Sequence, residues 1–178
     1  WIKGLYSAPW HVLTDTKAPR DGIQYKIMHS NDSGVAWYPS SGLGISYYSP
    51  GCTNLGSYGT VNTDSQNYVL YSFASAPGYF DVVRYSGTDA NSTQSVPHNL
   101  NSTPGMMIVK DIGVNGNPGE WWVYHKDLTD PANSFMWLNK DQLRLTTYEP
   151  WGGTLPTDTN FTVEALCLYT RRRCLQPP

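Results

Sequence analysis

The sequence predicts an all-β protein, an antiparallel β-sandwich of jelly-roll-like kind built as two related units. Three observations carry that reading. Charged residues make up only 15% of the chain, while Gly, Pro, Tyr and Trp number 16, 13, 13 and 7, a mixture that suits short strands and many turns. Gly, Pro or β-branched residues interrupt every window long enough for a stable helix. Finally, four short segments recur in the same order at an offset of roughly 100 residues, a domain-sized period.

The recurring segments set the order of elements. Trp1-Ile2-Lys3 matches Ile108-Val109-Lys110, and Trp10 to Asp15 matches Trp121 to His125 with a register open by one residue. Tyr25 to Met28 matches Phe135 to Leu138, and Tyr68 to Phe73 matches Glu164 to Tyr169. The expected units are therefore 1–78, with no counterpart of the front of the second, and 79–178.

The second unit opens with Tyr79 to Gly87, whose β-branched and aromatic residues predict a strand ended by glycine. Ser95 to Leu100 reads as an edge segment, because Pro97 has no N–H to give a ladder. Residues 104–126 are the densest apolar stretch and predict a long-tipped β-hairpin. Met106 to Lys110 and Trp121 to Tyr124 form its arms, and Asn115-Gly116-Asn117-Pro118-Gly119 supplies the reversal. Side chains alternate along a strand, so of Trp121 and Trp122 one is expected in a core and the other against a second layer, partner or ligand. Ser134 to Leu138 and Gln142 to Thr147 are further strand signals. Pro150 to Thr159 is loop, and Phe161 to Thr170 is the closing strand. Single helical turns are conceivable only near Asp15 to Asp21 and Asp127 to Ser134.

Charge excludes some function classes. The formal net charge is -2, with no basic stripe to neutralise a phosphate backbone, so nucleic acid is not an expected partner. Arg171-Arg172-Arg173 reads as a solvated run. No apolar run is long enough to span a bilayer. The chain begins at Trp1 without a signal-peptide pattern, which suggests a piece of a longer or processed protein. Cys52, Cys167 and Cys174 are too few and too scattered for a disulfide scaffold. The sequons at Asn31, Asn91, Asn101 and Asn160 are of the number chance supplies in so Asn-, Ser- and Thr-rich a chain.

Chemistry has few candidates. Glycoside hydrolysis needs two facing carboxylates, one held protonated by an apolar wall. Glu120 beside the tryptophan pair is the most enzyme-like of a set that includes Asp81, Asp127, Asp130, Asp141 and Glu149, yet it follows Pro118-Gly119 at a loop tip, where a solvated acid is ordinary. His98 and His125 lack metal-ligand spacing, and Asp127 and Asp130 lack the glycine and oxygen spacing of a calcium loop. Gly42-Leu43-Gly44 lacks the strand–helix setting of a phosphate loop. No catalytic residue, metal ligand or cofactor is assigned. The stronger functional signal is aromatic. Trp37, Tyr38, Tyr47, Tyr48, Tyr148 and Trp151 lie near Pro- and Gly-rich stretches, where flat rings can stack on sugars or anchor an interface. Of these, Trp37, Tyr38, Tyr148 and Trp151 are the candidate glycan- or partner-binding residues.

A set of strand motifs adds a family resemblance. Arg84-Tyr85-Ser86-Gly87 is followed by His98 and Leu100 ahead of Pro104, then Ile108 to Lys110, Trp121 to His125 and Phe135 to Asn139. A closing strand follows, as Tyr68 to Ala74 in the first half and in degraded form as Glu164 to Thr170 in the second. The pattern resembles a repeat domain of uncharacterised role in tail-fibre-like and other structural virion proteins of tailed, often marine, phages. It covers most of residues 67–170 and a weaker part of 1–66. The resemblance implies a structural virion protein, part of a fibre, spike or other appendage, located in the extracellular particle after assembly in the host cytoplasm. Copies of the chain and other virion proteins are the implied partners, with a host-surface glycan as a further contact. The fibre context alone suggests a trimer. A carbohydrate-binding β-sandwich module is the alternative, and a glycan-degrading enzyme domain ranks behind it.

Overall fold

The computed structural model describes residues 1–6, 10–17, 20–21, 24–34, 36–37, 45–49, 52–88, 92–112, 119–142, 146 and 149–164. Among them the fold is all-β and antiparallel, of β-sandwich type, with its sheets in separate groups and no helix. The helical turn allowed near Asp127 is a run of turns and bends instead; of Asp15 to Asp21, residues 16–17 are a turn, 20–21 a strand, and 18–19 lie outside the described residues. Asp130 sits at φ 56°, outside helical geometry, with its carboxylate bonded to the Asn133 amide at 3.0 and 3.1 Å. The chain divides into two compact units, Trp1–Phe73 and a second from Ala74 to Asp111 and again from Gly119 onward.

In the first unit the strands are β1 (Ile2–Gly4), β2 (His11–Leu13), β3 (Arg20–Asp21), β4 (Gln24–Tyr25), β5 (Met28–His29), β6 (Ile45–Ser49), β7 (Cys52–Leu55) and β8 (Tyr68–Leu70). A four-stranded sheet runs β5-β2-β1-β8, and β3–β4 and β6–β7 are separate hairpins. Alternation places Ile2 opposite Val12 on the inner face, where both are buried with Ile27, Ile45 and Val61. Trp37, Leu55, Tyr58 and Tyr68 pack around this cluster. Tyr47 and Tyr48, which the sequence places among loop aromatics, lie on β6; its register shifts between Tyr47 and Ser49, a bulge.

The second unit contains β9 (Thr93–Pro97), β10 (Met106–Lys110), β11 (Trp121–His125), β12 (Met136–Trp137) and β13 (Asn160–Glu164). The expected hairpin is present: β10 and β11 pair from Met106↔His125 to Lys110↔Trp121. Residues 113–118 at its tip lie outside the described residues. Val109↔Trp122 and Met107↔Tyr124 share one face, and the cluster beneath them contains Phe135 and Trp151. Trp121 and Trp122 point to opposite faces, yet both are buried, so β11 is covered on both sides. β9 and β13 form a two-stranded sheet around Val96, Phe161 and Val163. Met107 packs against both clusters and ties the hairpin to that sheet. Gly152 is required beside it: its φ is 58°, and a Cβ there would lie 2.8 Å from the Thr93 methyl.

One expected strand is absent. Residues Tyr79 to Gly87 form no ladder beyond an isolated Ala76↔Phe80 bridge. Among the described residues no strand lies beside it to make a ladder, and the Asp81 carboxylate accepts from Val82 N–H at 2.9 Å, which takes up one amide of the segment, and from Asn99 N–H at 3.0 Å. The alternation survives without the ladder, since Val83 and Tyr85 still pack on Val96, Phe161 and Val163. Burial there, with the Asp111 charge adding to it, pushes the Tyr85 phenol up to about 12. Most of Gln142 to Thr147, and the closing strand beyond Glu164 with Cys167 and Cys174, lie outside the described residues.

Candidate functional site

Both units contain the same three-strand meander in the same register. In the first, Lys3 faces His11, Ile2 faces Val12, Val12 faces His29 and Leu13 faces Met28. In the second, Lys110 faces Trp121, Val109 faces Trp122, Trp122 faces Trp137 and Val123 faces Met136. Walking outward from these pairs aligns Ile27 with Phe135, both 0% exposed. The alignment also resolves the one-residue ambiguity in the sequence match, placing His11 on Trp121 and Trp10 on Glu120, and it corrects the match of Tyr25 to Met28 by two residues, since Ile27 rather than Tyr25 falls on Phe135.

The closure of the meander is repeated in its side chain as well. Ser30 N–H donates to His11 O at 2.9 Å, and Leu138 N–H donates to Trp121 O at 3.0 Å. The next residue is asparagine in both units. Asn31 Oδ1 accepts His11 N–H at 3.1 Å, and Asn139 Oδ1 accepts Trp121 N–H at 3.1 Å. Each asparagine therefore satisfies a strand amide from the neighbouring turn, a role that needs a short side chain with a carbonyl. This gives the Asn31 sequon a structural explanation. Replacing either asparagine by alanine is expected to cost about 1 kcal/mol, somewhat more at Asn139. Asn139 also donates to Glu120 Oε2 at 2.7 Å. Chemical denaturation of the two variants measures this.

At the matched positions the units differ in what they present. In the second unit, Glu120 is bonded by Asn139 through one oxygen and by Lys140 through the other, and the Lys140 ammonium lies 4.7 Å from the Trp137 ring centroid. The most enzyme-like acid of the sequence is thus held in a local ion-pair network. In the first unit the equivalent place holds Trp10, 46% exposed and stacked on His29 at 4.6 Å and 22°. His29 meets the Trp37 ring edge-on at 6.0 Å, and Trp37 meets Tyr58 edge-on at 5.5 Å. Four rings form a continuous row whose outer member is half open to solvent.

The row places Trp37 differently from a free-standing platform. It is half-buried, packs on the first core and exchanges backbone hydrogen bonds with Ile27 at 2.9 and 3.1 Å. Trp151 needs correction outright. It is 1% exposed, sits in the second core edge-on to Tyr124, and donates from Nε1 to Ser134 O at 2.9 Å, so neither ring face is available to a ligand. Tyr38 and Tyr148 lie outside the described residues. Nothing in the sequence marks Trp10 as exposed, because its neighbourhood resembles the start of a core strand.

Burial holds the His29 imidazole below its usual range, with Asp32 opposing, and burial with Lys3 does the same for His11. Folded pKa values depressed below the ordinary 6.5 mean that the unfolded chain takes up protons first. Stability from these groups is present above pH 6.5 and is lost as pH falls through their folded values. Glu164, raised by burial and by Glu149, acts in the opposite sense at lower pH. The difference between wild type and His29→Gln isolates the histidine: the urea midpoint of the wild type should fall more steeply from pH 7.5 to 5.5 than that of the variant.

The meanders, their separate sheets and the absence of helix among the described residues define an antiparallel β protein of sandwich type. A family profile described as "Domain of unknown function (DUF7483)" matches residues 80–171, which is more than half of the chain and spans β9 to β13. The chain belongs to that family. No curated protein and no solved structure matches it. Among the described residues no helix is long and apolar enough to cross a membrane, and no group of three or more His, Cys, Asp or Glu could hold a metal ion.

Proposed function

We propose that the chain is an architectural part of a tailed-phage virion, within a fibre, spike or other appendage. It works there as a repeated β unit that assembles with copies of itself and with other virion proteins. The observation that supports this most strongly is the meander present twice in one register with the same asparagine-to-amide closure, which we take as a duplication. Duplicated β units of low charge make stiff, extensible spacers. The motif resemblance to virion repeat domains supplies the context. Purified particles from the source phage test the proposal. The chain should be found by mass spectrometry in stoichiometric amount, and antibody against it should label an appendage. Its absence from washed particles contradicts the proposal.

Host-glycan contact is the second reading, and Trp10 favours it. A half-open indole backed by a row of rings offers a flat, rigid surface to a sugar face. Glycan-array binding that is lost in Trp10→Ala with stability intact supports this reading. A blank array returns the row to a purely structural role.

A further inference from the structure

Among the described residues the outer edge of β8 has no strand paired to it, and its margin is apolar. Leu5 N–H donates to Asn67 O at 2.8 Å, and Tyr71 and Trp1 exchange both backbone bonds at 2.8 and 2.9 Å. In an antiparallel ladder, hydrogen-bonded pairs alternate with non-bonded ones. Residues 67, 69 and 71 therefore turn their peptide groups toward β1. Those of Tyr68 and Leu70 turn away from it, and among the described residues β8 pairs with β1 alone. Leu70 is opposite Ile2, on the inner face, but is 50% exposed because the layer stops there. Tyr71, on the other face, is 52% exposed.

The edge of β8 also lacks the usual protection. No charged residue occurs from Ser65 to Phe80, β8 contains neither Pro nor bulge, and among the described residues no strand but β1 pairs with it.

We propose that this edge pairs with the same edge of a second copy of the chain. The inference builds on the proposed self-assembly and names its contact. Self-pairing follows from the chemistry of the segment. A neutral strand meets its own copy without like-charge repulsion, and a two-fold axis makes edge-to-edge pairing antiparallel, the sense already used throughout the fold. With Leu70 turned outward, the axis lies at Leu70. Leu70 then exchanges both backbone bonds with its counterpart, and Tyr68 stands opposite Ser72 of the other copy. The two leucines continue the inner apolar layer from Ile2 across the contact.

Light scattering on the full chain tests this with two variants. Leu70→Lys sets two ammonium groups against each other at the axis, and a half-exposed position tolerates the change in the monomer. Met106→Lys, at a position also 50% exposed but far from β8 in sequence, controls for loss of general surface hydrophobicity. The expected result is a wild-type dimer, association weakened by about 30-fold or more in Leu70→Lys, and little change in Met106→Lys. Hydrogen exchange should show the Leu70 amide protected at high protein concentration and exchanging on dilution. An oligomer of any number that survives Leu70→Lys overturns the edge pairing while leaving self-assembly standing. A wild type that is monomeric at every concentration overturns both. A monomer whose Leu70 amide becomes protected on adding a peptide of residues 92–98 assigns the edge to a β9-type strand and overturns self-pairing.

Discussion

Trp151→Ala should destabilise the second unit by about 3–5 kcal/mol, the range for removing a large aromatic from a close-packed core. The indole is 1% exposed and fills the cluster formed with Trp122, Tyr124 and Phe135. Its removal leaves a cavity, and it strips a partner from Ser134 O in a residue that is itself 0% exposed. Loss of that buried hydrogen bond adds about 1 kcal/mol. Trp151→Phe separates the two contributions, since it retains much of the ring and removes the donor. It should cost less than alanine but more than a volume change alone. Urea denaturation followed by circular dichroism measures both, with the midpoint falling in that order. Trp10→Ala provides the counterpoint. Removing its half-exposed ring should cost less than about 1.5 kcal/mol of stability, because only one face is stacked against the protein.

Ile27→Ala and Phe135→Ala should be similarly severe, at about 2–5 and 3–5 kcal/mol. Both side chains are 0% exposed and precede the third strand of their meander at the same register position. In the first unit Ile27 also anchors Trp37 through two backbone bonds, so a cavity there loosens the aromatic row above it. In the second, Phe135 lies 4.7 Å from Trp122 and 5.1 Å from Trp137 by ring centroid, and its loss opens the space between them. Conservative replacements, Ile27→Val and Phe135→Leu, should recover most of the stability. If either alanine variant were nearly neutral, that position would not be a core position and the matched-register reading would fail for its unit.

The hairpin at residues 104–126 was legible because period-two apolar arms flank a Pro-, Gly- and Asn-rich reversal, and all of that information is local. The meander of the first unit was legible as a pattern but not in register, since a one-residue shift between Trp10 and His11 leaves composition unchanged and moves every side chain to the other face. Trp151 misled for a related reason. Pro150, Gly152 and Gly153 do make a turn, but whether a ring in a turn faces out or in depends on a core assembled from β11 and Phe135, distant in sequence. The Tyr79 to Gly87 segment had the alternation of a strand and lacked the partner, which only tertiary structure supplies. The exposure of Trp10 and the repeated asparagine bond were equally hidden. Asn31 looked like a sequon and Asn139 like the end of a strand motif, and only the paired 3.1 Å contacts show that they perform one task.

Amide hydrogen exchange at His11 and Trp121 tests the central claim, that one meander is built twice and closed in the same way. Both amides should be protected in the wild type. Asn31→Ala should release the His11 amide while leaving Trp121 protected, and Asn139→Ala should do the reverse. A His11 amide exchanging at the open-chain rate beside a protected Trp121, or protection at either site indifferent to its own asparagine, would contradict it.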